Sequence, residues 1–205
     1  MKYLLHLSTL SILVLGVPTA EPLGAQQRHR VTGAPDQLLA TFAREPESSA
    51  GADIMAMLLY NKDYPKARVE ALLRGLERLA LDGSTERVRA HAAGLLITAG
   101  SRHGPDPIPG SFARIERVFR HSKDSRVQLG LVNGMLVLTE RKEAVLLLEQ
   151  IAAQDSYLAQ VALSSLLNMG NEGTAVLKRL HERKAVRNPR ARGDLEEIAR
   201  HGRLD

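Results

Sequence analysis

From Asp36 onward, short polar breaks alternate with segments whose apolar residues recur at three- and four-residue spacing, and no segment shows the two-residue alternation of a half-buried strand. The pattern predicts an all-α domain. Val69, Leu72, Leu73, Leu76, Leu79 and Ala80 share one helical face, and Asp82-Gly83-Ser84 ends that helix and offers caps for the next. Phe112, Ile115, Val118 and Phe119 repeat the face, as do Val145, Leu148, Ile151 and Ala152, and then Val176, Leu177 and Leu180. A second helix follows each of them. Upstream, Asp36 to Arg44 and Ser49 to Tyr60, with Ile54, Met57 and Leu58 inward, predict a weaker hairpin at the start.

The second helices align with one another. Val88, Ala92, Leu96 and Ala99 correspond to Val127, Leu131, Met135 and Leu138, then to Leu158, Ala162, Leu166 and Met169, and more loosely to Ala191, Leu195 and Ala199. The intervals of 39, 31 and 33 residues are those of two-helix repeats, in which one hairpin cannot bury its apolar face alone and stacking supplies the core. The expected fold is an α-α superhelix, an α-solenoid of about five hairpins. Its longest interval holds an insertion, Ser101 to Gly110, with three prolines and two glycines.

The run Leu76, Leu79, Asp82, Val88-Arg89, Ala92, Leu96, Gly100 resembles the consensus of HEAT-like repeats, in particular the short bacterial variety first described in phycobilin lyases. The resemblance covers about Leu38 to Arg200 and speaks for architecture, because such repeats serve many unrelated functions. It implies that Asp82, between the helices, and Arg89, after the valine, tie neighbouring repeats together. Later repeats keep the acid as Asp124 and Asp155 but carry Gln128 and Ala159 where the arginine would stand.

The first residues read differently. Lys2 precedes a 14-residue apolar stretch, Leu4 to Val17, which is shorter than the roughly 20 residues of a spanning helix, so a cleaved secretory signal is expected over residues 1–25. Cleavage after Ala25 is preferred to Ala20, where Pro18 stands three positions back. Export to the periplasm or beyond follows, with no transmembrane anchor after cleavage. Residues 26–35 are polar and basic without periodicity, a flexible lead-in to the repeat domain, residues 36–205.

Composition narrows the chemistry. The 205 residues contain no cysteine and no tryptophan, which removes thiolate catalysis, cysteine-ligated metals and disulfides. Neither a cofactor nor a metal site is expected: the histidines are scattered without an i, i+4 pair, and no phosphate-binding glycine loop or nucleophile elbow occurs. Glu196-Glu197 and Glu45/Glu47 read as solvated. The net charge of +5 is matched by Lys178 to Arg203 alone, with nine basic against four acidic residues. Two readings fit that stripe, a soluble capping hairpin or a surface for anionic envelope components or an acidic protein. Nucleic acid is not expected, because no aromatics are interleaved with these arginines.

Helical phase places the candidate binding residues. If Val88, Ala92, Leu96 and Ala99 face inward, the polar edge of the second helices carries Arg87, Arg126, Tyr157 and Arg190 in one row. Gly94, Asn133, Ser164 and Glu197 form another, and Thr98, Val137, Asn168 and His201 a third. Second helices usually line the concave surface of a solenoid. The expected function is therefore non-catalytic binding of a protein partner through Arg87, Arg126, Tyr157, Arg190, Asn133 and Asn168. The alternative is an enzyme with its site at the 101–110 loop, near His91 and His103.

Overall fold

The computed structural model describes residues 31–204, so the expected signal segment lies outside the described residues. Among them are ten α-helices and no strand: α1 (Pro35–Arg44), α2 (Ser49–Leu59), α3 (Lys66–Asp82), α4 (Glu86–Gly100), α5 (Ser111–His121), α6 (Ser125–Gly134), α7 (Arg141–Ala152), α8 (Leu158–Leu167), α9 (Asn171–Glu182) and α10 (Pro189–Arg200). Polar side chains in the turns start several of them. Thr85 accepts the Val88 N–H at 3.2 Å at the head of α4. Asp124 accepts from Arg126 and Val127 at 3.0 and 3.4 Å before α6, and Asn188 accepts from Arg190 and Ala191, both at 3.1 Å, before α10. These bonds satisfy donors that a helix start leaves open.

Consecutive helices pair across the turns 45–48, 83–85, 122–124, 153–157 and 183–188. Each even-numbered helix also packs on the next, from α2 through α4, α6 and α8 to α10. Odd-numbered helices pack likewise along α1, α3 and α5 and again between α7 and α9. The expected inward rows form the core. Ala92, Val127, Leu131, Met135, Ala162, Leu166 and Ala191 have essentially no exposed surface, with Leu72, Leu76, Ile115, Leu148 and Leu177 beside them. That burial of branched apolar side chains, at roughly 1.5–3 kcal/mol each, is the main stabilising term.

The structure departs from the periodicity at the end of α6. The inward row continues through Met135 and Leu138, but the helix stops at Gly134 and the chain tightens into a 3-10 turn, Met135–Val137. A Cβ on Gly134 would come within 2.7 Å of the Ile97 side chain, so glycine lets α4 and α6 approach closely. Beyond the turn, Leu138 forms an isolated antiparallel bridge with Ser101. Arg102 N–H donates to the Val137 carbonyl at 2.9 Å, and Thr139 N–H to that of Gly100 at 3.0 Å. Ser101 to Gly110 is therefore docked. Ile108 N–H donates to Ala99 O at 2.7 Å, and Asp106 takes the Asn61 amide on its carbonyl and the Lys62 ammonium on its carboxylate. At the end of this loop the Glu140 carboxylate accepts from Gly110 and Phe112 N–H at 2.7 and 2.9 Å, an acid at the positive end of α5.

The last residues of the segment read as a flexible lead-in are tied to α3. Val31 is buried, its N–H donates to the Tyr64 hydroxyl at 3.2 Å, and Arg68 donates to the carbonyls of Val31 and Gly33. The Arg68 guanidinium also lies 5.7 Å from the Tyr64 ring centre. On the segment's side backbone groups make all of these hydrogen bonds, which composition does not reveal. No helix among the described residues is long and apolar enough to cross a membrane.

Candidate interaction surface

The even-numbered helices turn the expected rows outward. Arg87, Arg126, Tyr157 and Arg190 are all exposed, and so are Gly94, Asn133, Ser164 and Glu197. The third row is interrupted: Thr98 is half-buried with its hydroxyl on the Gly94 carbonyl at 3.1 Å, Val137 sits in the 3-10 turn, and only Asn168 and His201 are exposed. The Asn168 amide donates to Ser164 O at 2.8 Å, closing the end of α8.

Within the first row, polar groups expected to face a partner already bridge hairpins. Arg87 pairs with Glu47, Arg126 Nε with Glu86 at 2.6 Å, and the Tyr157 hydroxyl donates to the Ser125 carbonyl at 3.1 Å. Each contact reaches back to the start of the preceding even-numbered helix or the turn before it. Hydrogen bonding and charge from Arg87 hold the Glu47 carboxyl below the ordinary glutamate value, with a small contribution from His91. Arg190 stands in the same register, but no polar partner meets its guanidinium among the described residues.

Two positions further along, another register closes each hairpin on itself. Arg89 donates to Gly83 O at 2.8 Å, Gln128 to Ser122 O at 3.1 Å, and Arg192 to Val186 O at 3.2 Å, each reaching six residues back. Gln128 thus performs the local part of the arginine's role, whereas Ala159 is buried and has no group to offer. Arg89 also binds the Asp124 carboxylate of the next turn. The tie that the HEAT-like resemblance assigned to Asp82 and Arg89 therefore runs from Arg89 to Asp124, and Asp82 is exposed. Burial pushes the Asp124 carboxyl upward; bonds from Arg89 and from the N–H groups of Arg126 and Val127 outweigh it and hold it below the usual aspartate value.

Helical glycines separate into two groups. A Cβ on Gly51, Gly75, Gly100, Gly134 or Gly173 would meet a neighbour at 2.7 Å or less, whereas at Gly94, Gly130 and Gly193 it would meet nothing within 4 Å. All three open positions are exposed and lie on even-numbered helices. Each costs about 1 kcal/mol relative to alanine without serving the packing.

The 101–110 loop does not gather the histidines beside it. His91 is near the start of α4, 3.9 Å from Glu47, while His103 follows the helix's far end; nine residues of helix from His91 to Gly100 span about 14 Å. His121 Nδ1 donates to the Arg117 carbonyl at 2.8 Å, and His201 lies 3.7 Å from Glu197. Among the described residues no three acidic or histidine side chains are placed to hold a metal ion. A cleft of about 640 Å³ is open to solvent between the turns 45–48 and 84–85, lined by Arg44, Glu45, Glu47, Thr85 and Arg87. No family model matches this sequence, and neither a curated protein nor a solved structure matches it.

Proposed function

We propose that residues 36–205 form a HEAT-like α-solenoid whose even-numbered helices bind another protein, and that the chain is an exported, non-catalytic interaction module. The observation that carries this reading is the exposed row Gly94, Asn133, Ser164 and Glu197, which runs across four helices that pack on one another in sequence. A surface built this way is extended and shallow, suited to a protein segment. The three open glycines support it: bare helix backbone admits a close-lying chain, and their cost in helix stability then has a function. The first row contributes differently from the expectation drawn from sequence. Arg87, Arg126 and Tyr157 hold adjacent hairpins in register while leaving more than half of each side chain open to a partner.

Affinity capture of the mature chain's partner from cell-envelope extract tests the proposal, with Asn133→Arg and Ser164→Arg as paired variants. Both substitutions add bulk to exposed sites, so they are expected to leave the melting temperature within a few degrees and to lose the captured protein. Capture unchanged by either variant rejects this face.

A further inference from the structure

We propose that the tip of the last hairpin, formed by Arg183, Lys184, Arg187 and Arg190, is a docking site for an acidic segment of a partner protein. The inference rests on the register of charges along the turns and uses none of the residues tested for the even-helix face, so either can fail alone.

Inside the array, three arginines near the turns meet carboxylates of a neighbouring hairpin, Arg87 with Glu47, Arg126 with Glu86 and Arg89 with Asp124, while Arg44 and Lys123 stand beside turns without one among the described residues. On the odd-numbered helices Arg114 and Arg117 meet Glu77, and Arg141 meets Glu172. At the last turn no basic residue makes such a pair among the described residues. Arg190 occupies the register of Arg87 and Arg126 without an acid, and Arg192 repeats the local bond of Arg89 without its second one. Arg183, Lys184 and Arg187 are also exposed with no carboxylate at ion-pair distance among the described residues. Charge is distributed accordingly. Residues 31–66 carry three basic against five acidic groups, net −2, whereas 178–203 carry net +5.

The tip is also held rigid. Lys184 and Ala185 donate to the carbonyls of His181 and Leu180, both at 3.0 Å, so that α9 ends in a left-handed residue, Lys184 at φ 49°. Arg192 then clasps the Val186 and Arg187 carbonyls at 3.2 and 3.1 Å, and Asn188 caps α10. The backbone of the tip is thus fixed before binding, and arginine guanidiniums match carboxylates in geometry. The surroundings decide between classes of polyanion. Val186 is buried and Ala185 half-buried, which leaves no apolar group to enter a lipid surface, and the hairpin carries no phenylalanine, tyrosine or tryptophan on which bases could stack. What remains is the chemistry that satisfies the earlier turns, aspartate and glutamate.

The test uses the mature chain and a fluorescein-labelled octa-glutamate peptide, read by anisotropy at about 50 mM and about 300 mM salt. The peptide should bind at low salt, weaken about tenfold at the higher salt, and lose about tenfold affinity in Arg183→Gln/Arg187→Gln/Arg190→Gln. Lys184→Glu/Arg187→Glu supplies a second variant should the triple one fail to fold, and is expected to lose binding as well. Four results overturn the proposal: no binding at low salt, binding indifferent to the variants, tighter binding of an oligo-thymidylate or of phosphatidylglycerol vesicles, or a self-association in sedimentation that the variants abolish, which would make the occupant a second copy of this chain.

Discussion

The guanidinium of Arg89, on α4, donates to the carboxylate of Asp124, which caps α6: Nε lies 2.9 Å and the terminal nitrogen 2.7 Å from the same oxygen. The pair joins one hairpin to the next while the other Asp124 oxygen starts a helix. One side chain thus carries a cap and an inter-hairpin tie, which substitution separates. Asp124→Ala should cost about 2–3 kcal/mol by removing both, and Asp124→Asn about 1 kcal/mol less because asparagine caps as well as aspartate. Urea denaturation of the two variants checks this; equal losses would mean that the cap contributes nothing, and an Asp124→Asn as stable as the parent would mean that the tie contributes nothing.

Acid should loosen the packing of α3 on α5. Bonding from Arg117 holds the Glu77 carboxyl below its ordinary value of 4.5 against the opposing effect of burial, and Arg114 adds to the lowering. A carboxyl lowered by folding stabilises the native state above its unfolded value and loses that contribution as pH falls through the folded value. The melting temperature should therefore fall between about pH 5 and about pH 3. Glu77→Gln should melt lower at neutral pH and show a shallower acid decline in a calorimetric series.

Glycine-to-alanine changes should divide by site. At Gly173 the new Cβ would overlap the Leu166 carbonyl oxygen, a backbone atom that cannot yield cheaply, so Gly173→Ala should cost about 3 kcal/mol. At Gly94 and Gly130 alanine should instead add about 1 kcal/mol of stability each. Thermal melts read both signs, and a loss at Gly94 or Gly130 would show that these positions serve the fold itself.

Lys184 is the one non-glycine residue at positive φ among the described residues. The turn after α10 has the same pair of closing bonds but places Gly202 at the left-handed position. Lys184→Gly should therefore stabilise the chain by about 1 kcal/mol, seen as a higher denaturation midpoint.

The hairpins were legible because burial of one helical face imposes a spacing, and Val88 to Ala99 and its counterparts obey it over four helices. The end of α6 was not, because Met135 in the 3-10 turn and Leu138 just beyond it stay buried as they would in a helix, and the bridge from Leu138 to Ser101 joins residues far apart in sequence. Register placed Arg87, Arg126, Tyr157 and Arg190 on one edge, and all four are exposed. It did not show that Arg87 and Arg126 are engaged, since their acids belong to the preceding hairpin. A signal was present: Glu47 and Glu86 both stand forty residues before the arginine they meet, one repeat upstream. The docking of Val31 on Tyr64 and Arg68 left no trace in periodicity because backbone groups make it.

Site-specific photocrosslinking in cell-envelope extract tests the central claim most directly. A photoreactive residue placed at Asn133, Ser164 or Glu197 lies on the exposed row of the even-numbered helices, and one at Leu146, 58% exposed on α7, lies outside it. The proposed interaction surface predicts one partner protein crosslinked from all three row positions and absent from Leu146. Adducts formed from Leu146 while the three row positions stay bare would contradict it.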